Sequence, residues 1–203
     1  MNIPWPRLRT ATIPIVLAML LALAAATPGT SRAAAPSQSG PCPCPLWSSR
    51  DLPSSGPDRE TEATELGVRF RADQAGWIIG VRFWKDVANT GVHTGSLWSA
   101  TGERLATATF VGESQSGWQQ VNFEPRIPIT AGTTYVASYH APNGRYSADE
   151  GGLTAAHVNG PLTAPASADV GGNGVYRSGG PGFPDTPVNG TNFWVDVAVI
   201  NSP

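Results

Sequence analysis

Two clusters of polar and aromatic side chains interrupt an otherwise strand-like sequence. One holds Tyr139, His140, Arg145, Tyr146, Asp149 and Glu150; the other holds Asp169, Asn173, Tyr176 and Arg177. Tyrosine rings beside guanidinium and carboxylate groups suit stacking on a sugar ring with polar contacts at its edge. Tyr139, His140, Arg145, Tyr146, Asp149, Tyr176 and Arg177 are therefore the candidate ligand-binding residues. Loop carboxylates and amides are also hard oxygen donors of the kind that hold Ca2+. Asp149 with Glu150, and Asp169 with Asn173, are the candidate metal ligands, although no dense D-x-D-x-D pattern occurs. Calcium is the one cofactor considered; no other is expected.

Catalytic chemistry finds less support. Glycoside hydrolysis needs two carboxyl groups facing each other across a cleft, whereas Asp149 and Glu150 are adjacent and should point apart. His93, His140 and His157 are scattered among many serines, and no nucleophile elbow, phosphate-cradling loop or H-E-x-x-H motif is present. The sequence predicts a protein that is not an enzyme.

The elements that must position these residues are short strands. From Leu66 to Tyr139 the chain runs through alternating, aromatic-rich segments separated by Gly, Asn and Thr turns. Leu66, Val68 and Phe70 share one face of the first. In the second, Trp77 to Trp84 is apolar on both faces, which predicts a central strand. Thr101-Gly102-Glu103 marks a hairpin turn, with strands at Ser96–Ser99 and Arg104–Val111. Further strands are expected at Trp118–Phe123 and Thr133–His140, and Pro125 and Pro128 argue against a central strand after Phe123. Trp98 and Trp118 are expected to be core residues. Between Ala141 and Gly190 repeated Gly-Gly and Asn-Gly steps leave mostly loop, with short strands near Arg145–Ser147 and Val175–Arg177. The last strand, Thr191–Ile200, is apolar on both faces, so its second face needs a cover, assigned to the glycine-rich segment. Asp196 on that face becomes a structural buried carboxylate that requires a partner such as Arg69, Arg82 or a cation.

Glycine and proline make up 42 of 203 residues and no sustained helical period appears. The expected fold is all-β: an antiparallel, jelly-roll-like β-sandwich with long Gly-rich loops, with a closed β-barrel as the alternative.

The N-terminal region reads as an export signal. Arg7 and Arg9 precede an apolar run from Ile13 to Ala26, and Ala33-Ala34-Ala35 offers a cleavage site. The expected organisation is a signal peptide at 1–35, a Pro/Ser-rich linker at 36–44 and a single β-sandwich domain at 45–203. The apolar run is too short for a spanning helix, so no stable membrane insertion is expected after cleavage and the protein is expected to be extracellular. Without residues 1–35, ten basic residues face 15 acidic ones and Lys85 is the single lysine. That balance excludes the basic surface of a nucleic-acid binder. Cys42 and Cys44 flank Pro43, and in an oxidising compartment they could close a local disulfide.

The segments ELGVRFRADQAGWIIGVRFWK, NTGVHTGSLWSATGERLATATF, GWQQVNF, ITAGTTYVASYHAPNGRYS, NGVYR, GFP and NFWVDVAV together resemble the domain of unknown function 4082 family. The likeness covers about Pro43 to Val199. That family occurs in secreted bacterial proteins, often actinobacterial. Its GxRFYK strand ending is matched by Phe83-Trp84-Lys85, and its YS-x-D step by Tyr146, Ser147 and Asp149. The resemblance implies an accessory extracellular β-domain and transfers no catalytic residue. The expected function is a non-catalytic secreted module that binds a glycan (a polysaccharide) or another cell-wall or cell-surface component. The alternative is a structural or adhesion domain acting through protein contacts.

Overall fold

Period-two alternation produces the strands, and their pairing order decides which faces are buried. The computed structural model describes residues 42–201, so the expected signal peptide and most of the linker lie outside the described residues. In chain order the strands are β1 (Cys44–Pro45), β2 (Thr64–Ala72), β3 (Gly76–Lys85), β4 (Thr94–Ser99), β5 (Arg104–Thr109) and β6 (Gly117–Ile129). They continue with β7 (Thr134–Ala141), β8 (His157–Asn159), β9 (Leu162–Ala164), β10 (Val175–Ser178), β11 (Thr186–Pro187) and β12 (Val195–Ile200). Among the described residues one 3-10 turn, Ser167–Val170, ends at Gly171 in the left-handed conformation.

The strands form two antiparallel sheets. One has the order β1-β12-β3-β6; the other runs β11-β10-β2-β7-β4-β5, with the β8–β9 hairpin attached to β2. Both sheets end in open edges, so the architecture is a β-sandwich and not a barrel. Leu66, Val68, Phe70, Tyr135, Ala137 and Tyr139 from the larger sheet join Ile78, Val81, Phe83, Val195, Val197 and Val199 from the smaller in one buried cluster. Phe83 stacks on Tyr139 with ring centroids 4.1 Å apart and links the sheets at the centre. Each fully buried Val, Leu, Ile or Phe side chain stabilises the fold by about 1.5–3 kcal/mol.

Three local features depart from the sequence reading. β6 continues past Phe123 to Ile129 through both prolines, because it is an edge strand paired with β3 alone and its other side needs no N–H donors. No strand forms at Arg145–Ser147. The glycine-rich segment covers a different surface from the one expected. Its Phe183 packs on Trp98, Val136 and Val175, on the outer face of the larger sheet.

The second face of β12 is covered chiefly by the entry segment. β1 pairs with β12, Leu46 and Trp47 are buried, and the Trp47 indole N–H donates to the Val195 carbonyl at 3.1 Å. The glycine-rich segment adds to this cover through Asn159, whose amide donates to the Pro45 carbonyl at 3.0 Å, and through His157. His157 stacks on Trp47 at 3.9 Å and donates from Nε2 to the Leu46 carbonyl at 2.9 Å.

Candidate functional site

The site begins where β7 stops. Gly144 and Arg145 both adopt left-handed backbone, with φ of 60° and 54°. A Cβ at Gly144 would collide with the Glu60 carbonyl, so the tight approach of the entry segment requires glycine. The Arg145 N–H donates to the Glu60 carbonyl at 2.8 Å, and the Asp58 N–H donates to the Tyr146 carbonyl at 2.8 Å. The turn therefore breaks the strand alternation and sets Tyr146 beside Asp58. Tyr176 arrives from β10, where it pairs with Leu66 and Thr186. Phe193 arrives from the approach to β12 and meets the Tyr146 ring edge-on at 5.8 Å.

Asp58, Tyr146, Ala148, Glu150, Tyr176, Val188, Thr191 and Phe193 line a cleft of about 260 Å3. Tyr146 and Tyr176 are half-buried. Burial pushes the Tyr146 hydroxyl up to about 12, with Asp58, Glu60 and Tyr176 adding to the rise. The phenol thus stays protonated and able to donate at any physiological pH. Apolar walls with a few carboxylates and hydroxyls make a surface for binding and orienting a ligand.

The other expected ligand-binding residues lie elsewhere. Tyr139 is fully buried: β7 runs between β2 and β4, its ring stacks on Phe83, and the Asn89 amide donates to its hydroxyl at 3.3 Å. Burial raises its pKa far above the usual tyrosine range. His140 is buried on the opposite face of β7, its Nδ1 3.6 Å from Glu65. Glu65 in turn accepts a hydrogen bond from Ser138, whose oxygen accepts from the Trp98 indole at 2.7 Å. Ser138 and Glu65 are sealed from solvent, so this grouping holds the sheet and meets no ligand. Arg145 lies in the turn beside the cleft, and Arg177 is exposed with its guanidinium against Gly182.

The expected metal pairs do not converge either. The Asp149 carboxylate accepts from the Ser54 N–H at 3.0 Å, the Ser54 hydroxyl at 2.8 Å and the Trp194 indole at 3.1 Å. It ties the entry segment to the last strand, while Glu150 turns toward the cleft. Asp169 is exposed in the 3-10 turn, whereas Asn173 is buried and engaged with β2. Among the described residues no three His, Cys, Asp or Glu side chains converge. Asp58, Thr191 and Phe193 were missed as site residues. Nothing local marks them, because each is brought to the cleft by pairing with a distant segment.

Asp196 has Arg82 as its partner at 3.4 Å and accepts from the backbone N–H groups of Leu46 and Val197, each at 2.7 Å. Arg69 instead donates to the Gly172 carbonyl. Cys42 and Cys44 are joined by a disulfide at the start of β1.

Residues 50–195 match the family described as Domain of unknown function (DUF4082). The chain belongs to this family. No curated protein matches the sequence. The part of the DUF4082 domain matched here contains all the residues lining the tyrosine cleft. Leu46, Trp47 and Asp196, which seal the outer face of β12, lie just beyond the matched span.

Proposed function

We propose that this protein is a secreted, non-catalytic module that binds a glycan of the cell envelope or its surroundings through the Tyr146–Tyr176 cleft. The observation that carries this reading is that Tyr146, Tyr176 and Phe193 line one open cleft, with the Tyr146 ring edge-on to Phe193. Half-exposed aromatic faces stack on the C–H faces of sugar rings, and the phenol and carboxylate edges take up ring hydroxyls. The Pro- and Ser-rich lead-in and the export-type head support an extracellular setting.

Binding of the purified protein to an array of plant, fungal and bacterial polysaccharides tests the reading. At least one glycan should bind, and Tyr176→Ala should weaken that binding by about tenfold or more, as loss of one stacking ring does. Silence across the array, or binding that Tyr176→Ala leaves intact, removes the glycan site from the cleft.

A further inference from the structure

The polar groups of the cleft share one electrical sign. Asp58 and Glu150 line it, and Glu60 lies close enough to disfavour ionisation of Tyr146. No lysine or arginine lines it, and among the described residues none of these three carboxylates has a basic partner within ion-pair distance. Asp58 uses one oxygen to accept from the Glu60 N–H at 2.8 Å, which leaves the other free. Thr191, a wall of the same cleft and 3% exposed, holds its Oγ1 without a hydrogen-bond partner among the described residues. The cleft therefore offers tyrosine rings with their hydroxyls, and carboxylates that as anions only accept. A neutral sugar can donate its hydroxyls to such a surface but brings no charge to oppose its carboxylates. A ligand carrying an ammonium group matches it twice: the carboxylates oppose its charge, and tyrosine faces attract a cation through the ring quadrupole.

Building on the glycan reading, we propose that the cleft selects an amino sugar whose nitrogen is free and protonated, as in a deacetylated hexosamine polymer, over its N-acetylated and neutral counterparts. The ring stacks between Tyr146 and Tyr176 while the ammonium group donates toward Asp58 and Glu150. N-acetylation removes the charge and adds a carbonyl that would face the same carboxylates.

Calorimetric titration of the purified protein with tetramers of glucosamine, N-acetylglucosamine and glucose tests this at slightly acid pH and low salt. Glucosamine tetramer should bind about tenfold more tightly than either of the others, an advantage that high salt erodes. Glu150→Gln and Asp58→Asn should each reduce that preference. Glu150 is exposed, and Glu150→Gln should melt like the parent protein, which keeps this arm free of folding effects. Equal affinity for the three tetramers overturns the amino-sugar inference and leaves the glycan site standing. Binding of none of them, together with silence on the array, overturns both. A lysine tetrapeptide that binds as tightly as the glucosamine tetramer shows a site for amines in general and also overturns the proposal.

Discussion

At the scale of single residues, Asp196 stands out as a carboxylate fully removed from water. Its carboxylate is sealed under Leu46 and Trp47, facing Arg82 and backbone N–H donors. Burial pushes its pKa up to about 7, and the Arg82 guanidinium and the amides of Leu46, Val197 and Trp47 oppose that rise without cancelling it. The sign of the linkage follows directly. The folded state holds this proton more tightly than the unfolded chain, so the contribution to stability is full below about pH 4 and is lost as pH rises toward about 7. Asp196→Asn removes the titration and resembles the protonated carboxyl, with one acceptor oxygen and one donor group. The variant should therefore gain stability relative to the parent as pH rises from about 4 toward about 7, because only the parent loses stability over that window. Urea unfolding of both proteins at several pH values checks this, and a difference constant with pH would contradict the assignment. The need for a partner to Asp196 was legible from its position in a doubly apolar strand. The choice of Arg82 over Arg69 was not, because it follows from the pairing of Asp196 with Arg82 across β12 and β3.

Among the elements, β2 shows how one side chain can complete a sheet. Its edge pairs with β10 as far as Gly67 and with β9 from Arg71, which leaves the Arg69 peptide groups between them. Asn173 fills the gap. Its Oδ1 accepts from the Arg69 N–H at 2.8 Å, and its Nδ2 donates to the Arg69 carbonyl at 3.0 Å and the Pro165 carbonyl at 2.9 Å. The amide stands in for a strand peptide, a role that needs a donor and an acceptor in one planar group. Asn173→Ala should cost about 3 kcal/mol in chemical denaturation, since it orphans several buried groups at once. Asn173→Asp should be destabilising as well, because a carboxylate cannot donate to the two carbonyls. An aspartate variant as stable as the parent would refute the strand-mimic role. From sequence, Asn173 in an Asp-bearing loop resembled a calcium ligand. The same oxygen chemistry serves a cation or a peptide N–H, and only the neighbouring strands distinguish the two. The strands were legible because alternation is a local property. The short pieces β1, β8, β9 and β11 were not, since two or three residues carry no period.

Across the whole molecule, the entry segment acts as a strap that joins the two ends of the described chain. Leu46 and Asp196 meet although they are 150 positions apart. Trp47 carries much of this closure, with the Trp194 ring 5.3 Å away on one side and His157 stacked on it. Trp47→Ala should destabilise the fold by about 3–5 kcal/mol, seen as a large drop in Tm with increased solvent exposure of Trp194 fluorescence. A drop of a degree or two would show that the strap is dispensable. The strap also carries the chain onward to Ser54 and Asp58, which bind Asp149 and Tyr146, so the cleft is assembled from four stretches of sequence. The sequence by itself determined the longer strands, the all-β class and the doubly buried character of the last strand, because a two-residue period is written into adjacent positions. It also picked out Tyr146 and Tyr176, in the glycine-rich region beside Arg145 and Arg177, as candidate ligand-binding residues. Only the tertiary structure decided that Tyr139 and His140 are interior and that Phe193 and Asp58 complete the cleft. Whether a strand's two faces are wet or dry depends on what later packs over them, and here those covers come from the opposite end of the chain.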